Sequence, residues 1–267
     1  MIHQKIKDLF QSSADYYCSP GNSIRGVYSM HLNAFYDLTT HTYTDALIQP
    51  VHCKNEFSAF CGMVDRHEVI EGRKNIYIGD RGYCSYNNMA HVLEQNQFFL
   101  FRTKDIHSKG LVGNFDFPEE EAFDIDVKVT LVRSHSRKIP VNPGTYRRFV
   151  DRASTFDYVA YGSYDTYELA FRIIRFPLSE SACECIITNL PHDEFPPERI
   201  KKLYYARWGI ESSFRKLKYT IGLGNFHSYK PQYIEQEIWA KLIAYNITET
   251  TIFHISGCIN ISIIITL

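Results

Sequence analysis

The stretch YYARWGIESSFRKLKYTIGLGNFHSYK, Tyr204 to Lys230, holds Tyr204, Arg207, Glu211 and Lys218. Cations of this kind grip phosphate. A lone carboxylate among them repels phosphate, so Glu211 needs a separate chemical reason to be there. At about 100° per residue, Arg207, Glu211 and Lys218 fall at about −60°, −20° and −40° from Tyr204, so one continuous helix would carry all four on a narrow face. Leu203, Ile210, Phe214, Leu217 and Ile221 form an apolar stripe beside that face, the signature of a helix docked on a core. The plainest reading of Arg207 and Glu211 is an ordinary i, i+4 ion pair on a solvated helix.

Asp80 changes that balance. It ends the short apolar run KNIYIGD and is followed closely by Gly82. Two acids brought together from a strand end and a helix repel each other unless a cation lies between them. Hard carboxylate oxygens suit Mg²⁺, which binds through one or two carboxylates plus phosphate oxygens. A metal beside a basic helix face is what phosphodiester cleavage requires. On this reading Asp80 and Glu211 are the candidate catalytic and metal-ligating residues.

Charge is segregated along the chain. The formal net charge of the 267 residues is −1, yet Arg199 to Lys230 contains eight Lys and Arg against Glu211 alone, a net of +7. The remainder therefore carries −8, with six acids in DFPEEEAFDID, Asp116 to Asp126. Clustered basic charge on a helix is a nucleic-acid footprint when it is not simply a solvated face. Seven cysteines without a C-x-x-C pair give no zinc site or disulfide framework. MIHQKIKDLFQ lacks the apolar core of a signal peptide, and the tail from Thr251 to Leu267 is shorter than the roughly 20 residues that cross a bilayer. A cytoplasmic protein with reduced thiols and no membrane partner is expected.

The elements that would position these residues can be read in order. MHLNAFYDL (30–38) and YTDALIQP (43–50) read as a hairpin around TTHT, and NEFSAFCGMVDRH spaces apolar residues helically. A strand follows at KNIYIGD, a helix at SYNNMAHVLEQN and a buried strand at FFLFRTK. That order predicts an α/β sheet covered by helices. From about Ser108 to Leu190 the pattern turns β-rich, with AFDIDVKVTLVRS alternating and YELAFRIIRFPL and CECIITNL also strand-like. Helical spacing returns after PPERIKKL. The expected organisation is a core segment over 1–107, a β-rich insertion over 108–190 and the rest of the core over 191–267.

These motifs resemble the DDE transposases of bacterial insertion sequences, in the subgroup marked by Y-x2-R-x3-E-x6-K. Tyr204, Arg207, Glu211 and Lys218 fit that spacing without a gap. GDRGYCSYN looks like the block of the second aspartate, which makes Asp80 that residue. HLNAFYDL and YTDALIQP are similar to the strand pair between the first and second acids. The resemblance, running from about Asp15 to about Asn246, implies a ribonuclease H-like mixed sheet with flanking helices, interrupted by a β-rich insertion. It implies double-stranded DNA at the element ends as partner, a homodimer in the DNA complex, and metal-dependent cleavage and strand transfer. In the family three carboxylates hold two Mg²⁺, for which Mn²⁺ can substitute. Asp80 and Glu211 would each hold a metal, and Tyr204, Arg207 and Lys218 would grip the DNA end.

The resemblance fails at the first aspartate. The family's D-G-S/T stretch has no counterpart before the HLNA strand; upstream of His31 the only aspartates are Asp8 and Asp15. Asp37 is the remaining candidate, at the end of what reads as the second strand. CINISIIITL also departs from the polar helical continuation expected. The expectation is a chain truncated at both ends, lacking the first core strand and inactive in cleavage. The competing readings are a non-catalytic DNA-binding fragment and a ribonuclease H-like nuclease.

Overall fold

A computed structural model describes residues 2–4, 17–18, 27–68, 72–108, 110–113, 115–179, 182–228, 230–256 and 263–266. The chain folds as two compact units, one formed by Met1–Asn75 with Ala206–Leu267 and the other by Ile76–Tyr205.

In the first unit, β1 (Ile2–Gln4), β2 (Tyr17–Cys18), β3 (Val27–Asp37) and β4 (Thr42–Pro50) form an antiparallel sheet built on β3. The hairpin β3–β4 matches the alternation in the sequence, with Leu32 opposite Ile48 and Ala34 opposite Ala46. Its four-residue turn is closed by His41 at a φ of 57°, a conformation a short polar turn tolerates. Helix α1 (Glu56–Arg66) starts where the Asn55 side chain accepts from the Ser58 N–H, and it buries Ala59, Phe60, Met63 and Val64. The Phe60 ring meets Phe35 of β3 edge-on at 5.7 Å.

The second unit holds β5 (Ile76–Gly79), α2 (Tyr86–Glu94), β6 (Phe98–Thr103), β7 (Phe123–Val132), β8 (Tyr146–Phe149), β9 (Thr166–Ser179), β10 (Ala182–Thr188) and α3 (Pro197–Ala206). Its sheet runs β5–β6–β10–β9–β7–β8. It is mixed: β5 is parallel to β6 and β8 to β7, while β10 runs antiparallel to both β6 and β9. Phe99, Leu100 and Phe101 are fully buried in succession, as in a strand covered on both faces. The strands of the β-rich stretch join this same sheet directly, because Cys185 to Thr188 pair with Thr103 to Leu100.

The chain returns to the first unit through α4 (Trp208–Tyr219), α5 (Pro231–Ser256) and β11 (Ile263–Thr266). Helix α5 buries Ile234, Ile238, Leu242 and Tyr245, spaced to line one face. Asn246 brackets Tyr43, accepting from its N–H and donating to its carbonyl, both at 2.8 Å. Strand β11 pairs antiparallel with Phe35–Asp37 of β3. The stretch read as an apolar tail thus supplies the end of a helix and a strand. Among the described residues no helix is long and apolar enough to cross a membrane.

Candidate acidic and DNA-contacting residues

Asp80 leaves the buried strand β5 in an extended conformation and is exposed. Its Oδ1 accepts a hydrogen bond from the Gly82 N–H at 2.8 Å, capping a single turn of 3-10 helix at Arg81–Tyr83. The carboxylate therefore has a structural task that the sequence did not betray. Only one oxygen is used for it; Oδ2 carries no hydrogen bond among the described residues. The strand end is held tightly. A Cβ on Gly79 would stand 3.0 Å from both the Phe101 ring and Tyr83 Cβ.

Glu211 lies in the first turn of α4. Arg207 Nη1 donates to its Oε1 at 2.9 Å, while Oε2 carries no hydrogen bond among the described residues. Helix α4 is seated by Ile210 and Leu217, both fully buried, and by Ser213, whose hydroxyl is 2.9 Å from that of Tyr43. Gly209 lets the first turn approach the hairpin, since a Cβ there would stand 2.6 Å from Leu38 Cδ2. Lys218 is two turns beyond Glu211 and exposed.

One expected feature is not formed. The single helix carrying all four residues is interrupted at Arg207, which keeps a helical backbone (φ −48°, ψ −33°) yet lies between α3 and α4. Tyr204 is on α3 and only 3% exposed, whereas Leu203 of the expected apolar stripe is half-buried. Asp80 and Tyr204 belong to the second unit; Arg207, Glu211 and Lys218 belong to the first.

Asp37, the remaining candidate for the first acid, differs from Asp80 in being buried. It is 4% exposed, and its Oδ1 accepts from the Thr39 N–H at 2.7 Å and the Thr39 hydroxyl at 2.6 Å. That geometry closes the β3–β4 turn. Asp8 and Asp15 lie outside the described residues.

Hard oxygen donors with one free oxygen each make Asp80 and Glu211 suitable for a divalent cation. Among the described residues no group of three or more His, Cys, Asp or Glu is gathered as a metal site. Thiolate ligation has no support either: burial pushes the Cys84 and Cys185 thiols up to about 12.

An aromatic partner beside each cation escaped the sequence reading. The Arg207 guanidinium is 5.1 Å from the Trp208 ring and Lys218 Nζ is 5.3 Å from the Tyr219 ring. Trp208 and Tyr219 are 54% and 73% exposed, so both rings face solvent, as does Lys218, whereas the Arg207 side chain is largely shielded. The signal was present as two cation–aromatic dipeptides, RW and KY.

The Transposase DDE domain family matches residues 10–247. Among known proteins the chain is similar to the transposase InsG for insertion sequence element IS4 of Escherichia coli (strain K12), 30% identical over 82 residues, which are 30% of this chain and 19% of that protein. It is similar to the transposase for insertion sequence element IS231F of Bacillus thuringiensis subsp. israelensis, 33% identical over 67 residues, covering 25% of this chain and 14% of that one. It is also similar to the putative transposase y4zB of Sinorhizobium fredii, 24% identical over 169 residues, covering 63% of this chain and 40% of that one. The matched stretches thus span less than half the length of these relatives. The mixed sheet with few flanking helices is consistent with a ribonuclease H-like transposase core. With the family matched across most of its length, the chain belongs to the Transposase DDE domain family.

Proposed function

We propose that this chain carries DNA-end recognition and part of the acidic site of an insertion-sequence transposase of the Y-R-E-K subgroup. The observation that carries this reading is the family match over residues 10–247, within which Tyr204, Arg207, Glu211 and Lys218 keep the Y-x2-R-x3-E-x6-K spacing. Arg207 and Lys218 hold phosphates of double-stranded DNA at the element end, and the exposed rings of Trp208 and Tyr219 extend that contact. Tyr204 acts as a positioning residue, anchoring the end of α3 through its buried ring. Arg207 also holds the Glu211 carboxylate in place through Oε1.

Asp80 and Glu211 are the residues that would hold a divalent cation, Mg²⁺ in the first instance. Such an ion would supply charge stabilisation at a phosphodiester and activate an attacking oxygen. We place the protein with its DNA in the cytoplasm and expect a homodimer on DNA. A second reading, of a chain that binds element ends without cutting them, is favoured by Asp37. It is 4% exposed, and its Oδ1 is taken up by two bonds from Thr39.

The test has two arms. Purified protein is incubated with element-end duplex and Mg²⁺ or Mn²⁺, beside Asp80→Ala. No nicking is expected; metal-dependent nicking lost in Asp80→Ala would overturn the non-cutting reading. Mn²⁺ affinity is then measured for Asp80→Asn, Glu211→Gln and the double variant. If the acids share one ion, the double variant loses little more than either single variant, because the couplings are not additive. Strictly additive losses would assign the two carboxylates to separate sites.

A further inference from the structure

Between Arg133 and Arg152 the chain carries six Lys and Arg against Asp151 alone, a net of +5. The second unit gathers this stretch at one end of its sheet. Residues 133–145 leave β7, β8 lies parallel beside β7, and β9 begins with Thr166 opposite Val132. Side-chain contacts tie the loops together. Arg147 Nη2 donates to the carbonyls of Ser134 and Ser136 at 3.3 and 2.8 Å, and the His135 ring stacks on Phe149 at 3.8 Å. Buried Arg133 donates to the carbonyls of Asp151, Ser154, Phe156 and Val159 and so organises the next loop.

The loop from β8 to β9 brings Asp151, Asp157 and Asp165 to this end, of which Asp157 is engaged by Asn87 and His91, so cations still outnumber acids here. Several arginines elsewhere meet carboxylates, Arg66 with Asp45, Arg102 with Glu184, Arg172 with Asp124 and Arg175 with Asp105, although exposed Arg199 bonds only a carbonyl. Arg137, Lys138, Arg147 and Arg152 are all exposed, and none forms an ion pair among the described residues. Bonds to carbonyls fix Arg147 without neutralising it. The field of this surface is therefore left to a partner's anions.

We propose that this end of the β7–β8–β9 sheet is a second DNA-contact surface, additional to α4, that holds the sugar-phosphate backbone of duplex DNA. The nature of the partner rests on the transposase reading; the surface itself rests on its unmatched cations. Two of the three most exposed rings here are covered, which favours backbone contact over stacking of unpaired bases; Tyr164, 64% exposed, is the exception. Here His135 covers Phe149, and Arg133 and Arg152 lie 5.5 and 6.0 Å from the Tyr161 ring centroid.

The test uses the full chain, a labelled duplex of arbitrary sequence without an element end, and metal-free buffer across a salt series. Arg137→Glu/Lys138→Glu removes two exposed cations that have no structural partner, and Arg152→Ala is the milder second variant; thermal melting confirms that each is folded. The double variant is expected to bind at least about tenfold more weakly at low salt, with the slope of log affinity against log salt reduced by about 1.8, two phosphate contacts' worth. Affinity and slope equal to the parent's in both folded variants would overturn the proposal, as would a parent without duplex affinity. A charge reversal that abolishes self-association but spares DNA affinity would also overturn it, assigning the surface to the acidic stretch Asp116–Asp126 of a second copy. Because neither metal nor an element end is used, the outcomes separate. An unchanged slope with the Mn²⁺ coupling of Asp80 and Glu211 intact would sink this surface alone. A reduced slope without the Mn²⁺ coupling of Asp80 and Glu211 would sink the shared acidic site alone.

Discussion

Arg207 and Glu211 form an ion pair of 2.9 Å across one turn of helix, but the two side chains differ in setting: the arginine is 12% exposed and the glutamate 36%. The shielded partner is the cation. The carboxylate is thus held from its buried side and open on the other, an arrangement that fixes Glu211 without consuming it.

Glu211→Gln should therefore separate function from stability. The amide oxygen can still accept from Arg207, and a half-exposed i, i+4 pair contributes under about 1 kcal/mol. The melting temperature should fall by no more than about 4 °C, while Mn²⁺ affinity should drop sharply. Melting curves and Mn²⁺ titration check this; retained affinity would make Glu211 a helix-surface residue only.

Gly79→Ala should destabilise the second unit by about 1–3 kcal/mol, the usual cost of overpacking. The added methyl would meet the Phe101 ring and Tyr83 Cβ, neither of which can move without disturbing β6 or the turn after Asp80. Urea denaturation gives the magnitude. A variant as stable as the parent would show that the β5 end is loosely packed.

Alkali should weaken the first unit. Burial raises the phenols of Tyr36, Tyr43 and Tyr245 above their ordinary value. A raised folded-state value means the native state retains its protons longer than the unfolded chain does. The associated stability is complete below the unfolded value of about 10 and is lost as pH rises beyond it. Denaturation midpoints measured across that range should decline, and Tyr245→Phe should flatten the decline. An identical slope in that variant would exclude the buried tyrosines as its cause.

On the acid side Asp105 should matter in the opposite sense. The Arg175 guanidinium holds its carboxyl down to about 2, helped by the Cys185 thiol and the Ile106 N–H and opposed by partial burial. Stability from this group is present above about pH 4, the unfolded value, and disappears as pH falls toward about 2. Asp105→Asn should lower stability at neutral pH and remove part of the acid dependence in that window, read by circular dichroism during acid titration.

Local periodicity determined much of this molecule by itself. Alternation in MHLNAFYDL and YTDALIQP specifies a hairpin because side chains on a strand point to opposite faces in turn, and β3 and β4 pair accordingly. The i, i+4 apolar spacing after Asn55 specifies α1, and Asp80 at the end of an apolar run followed by glycine specifies an exposed acid on a strand end. The family spacing from Tyr204 to Lys218 is likewise a property of the sequence alone. Tertiary structure decided what those residues touch. Tyr204 is buried, and the helix is divided at Arg207, neither of which follows from the spacing of the apolar residues. Ile263–Thr266 is a β-branched run that suits a strand, but its pairing with Phe35–Asp37, 227–231 positions away in the chain, is encoded by no local pattern. Whether an arginine is neutralised follows the same rule. Arg175 meets Asp105 and Arg147 meets only carbonyls, a difference set by chain crossings remote in sequence.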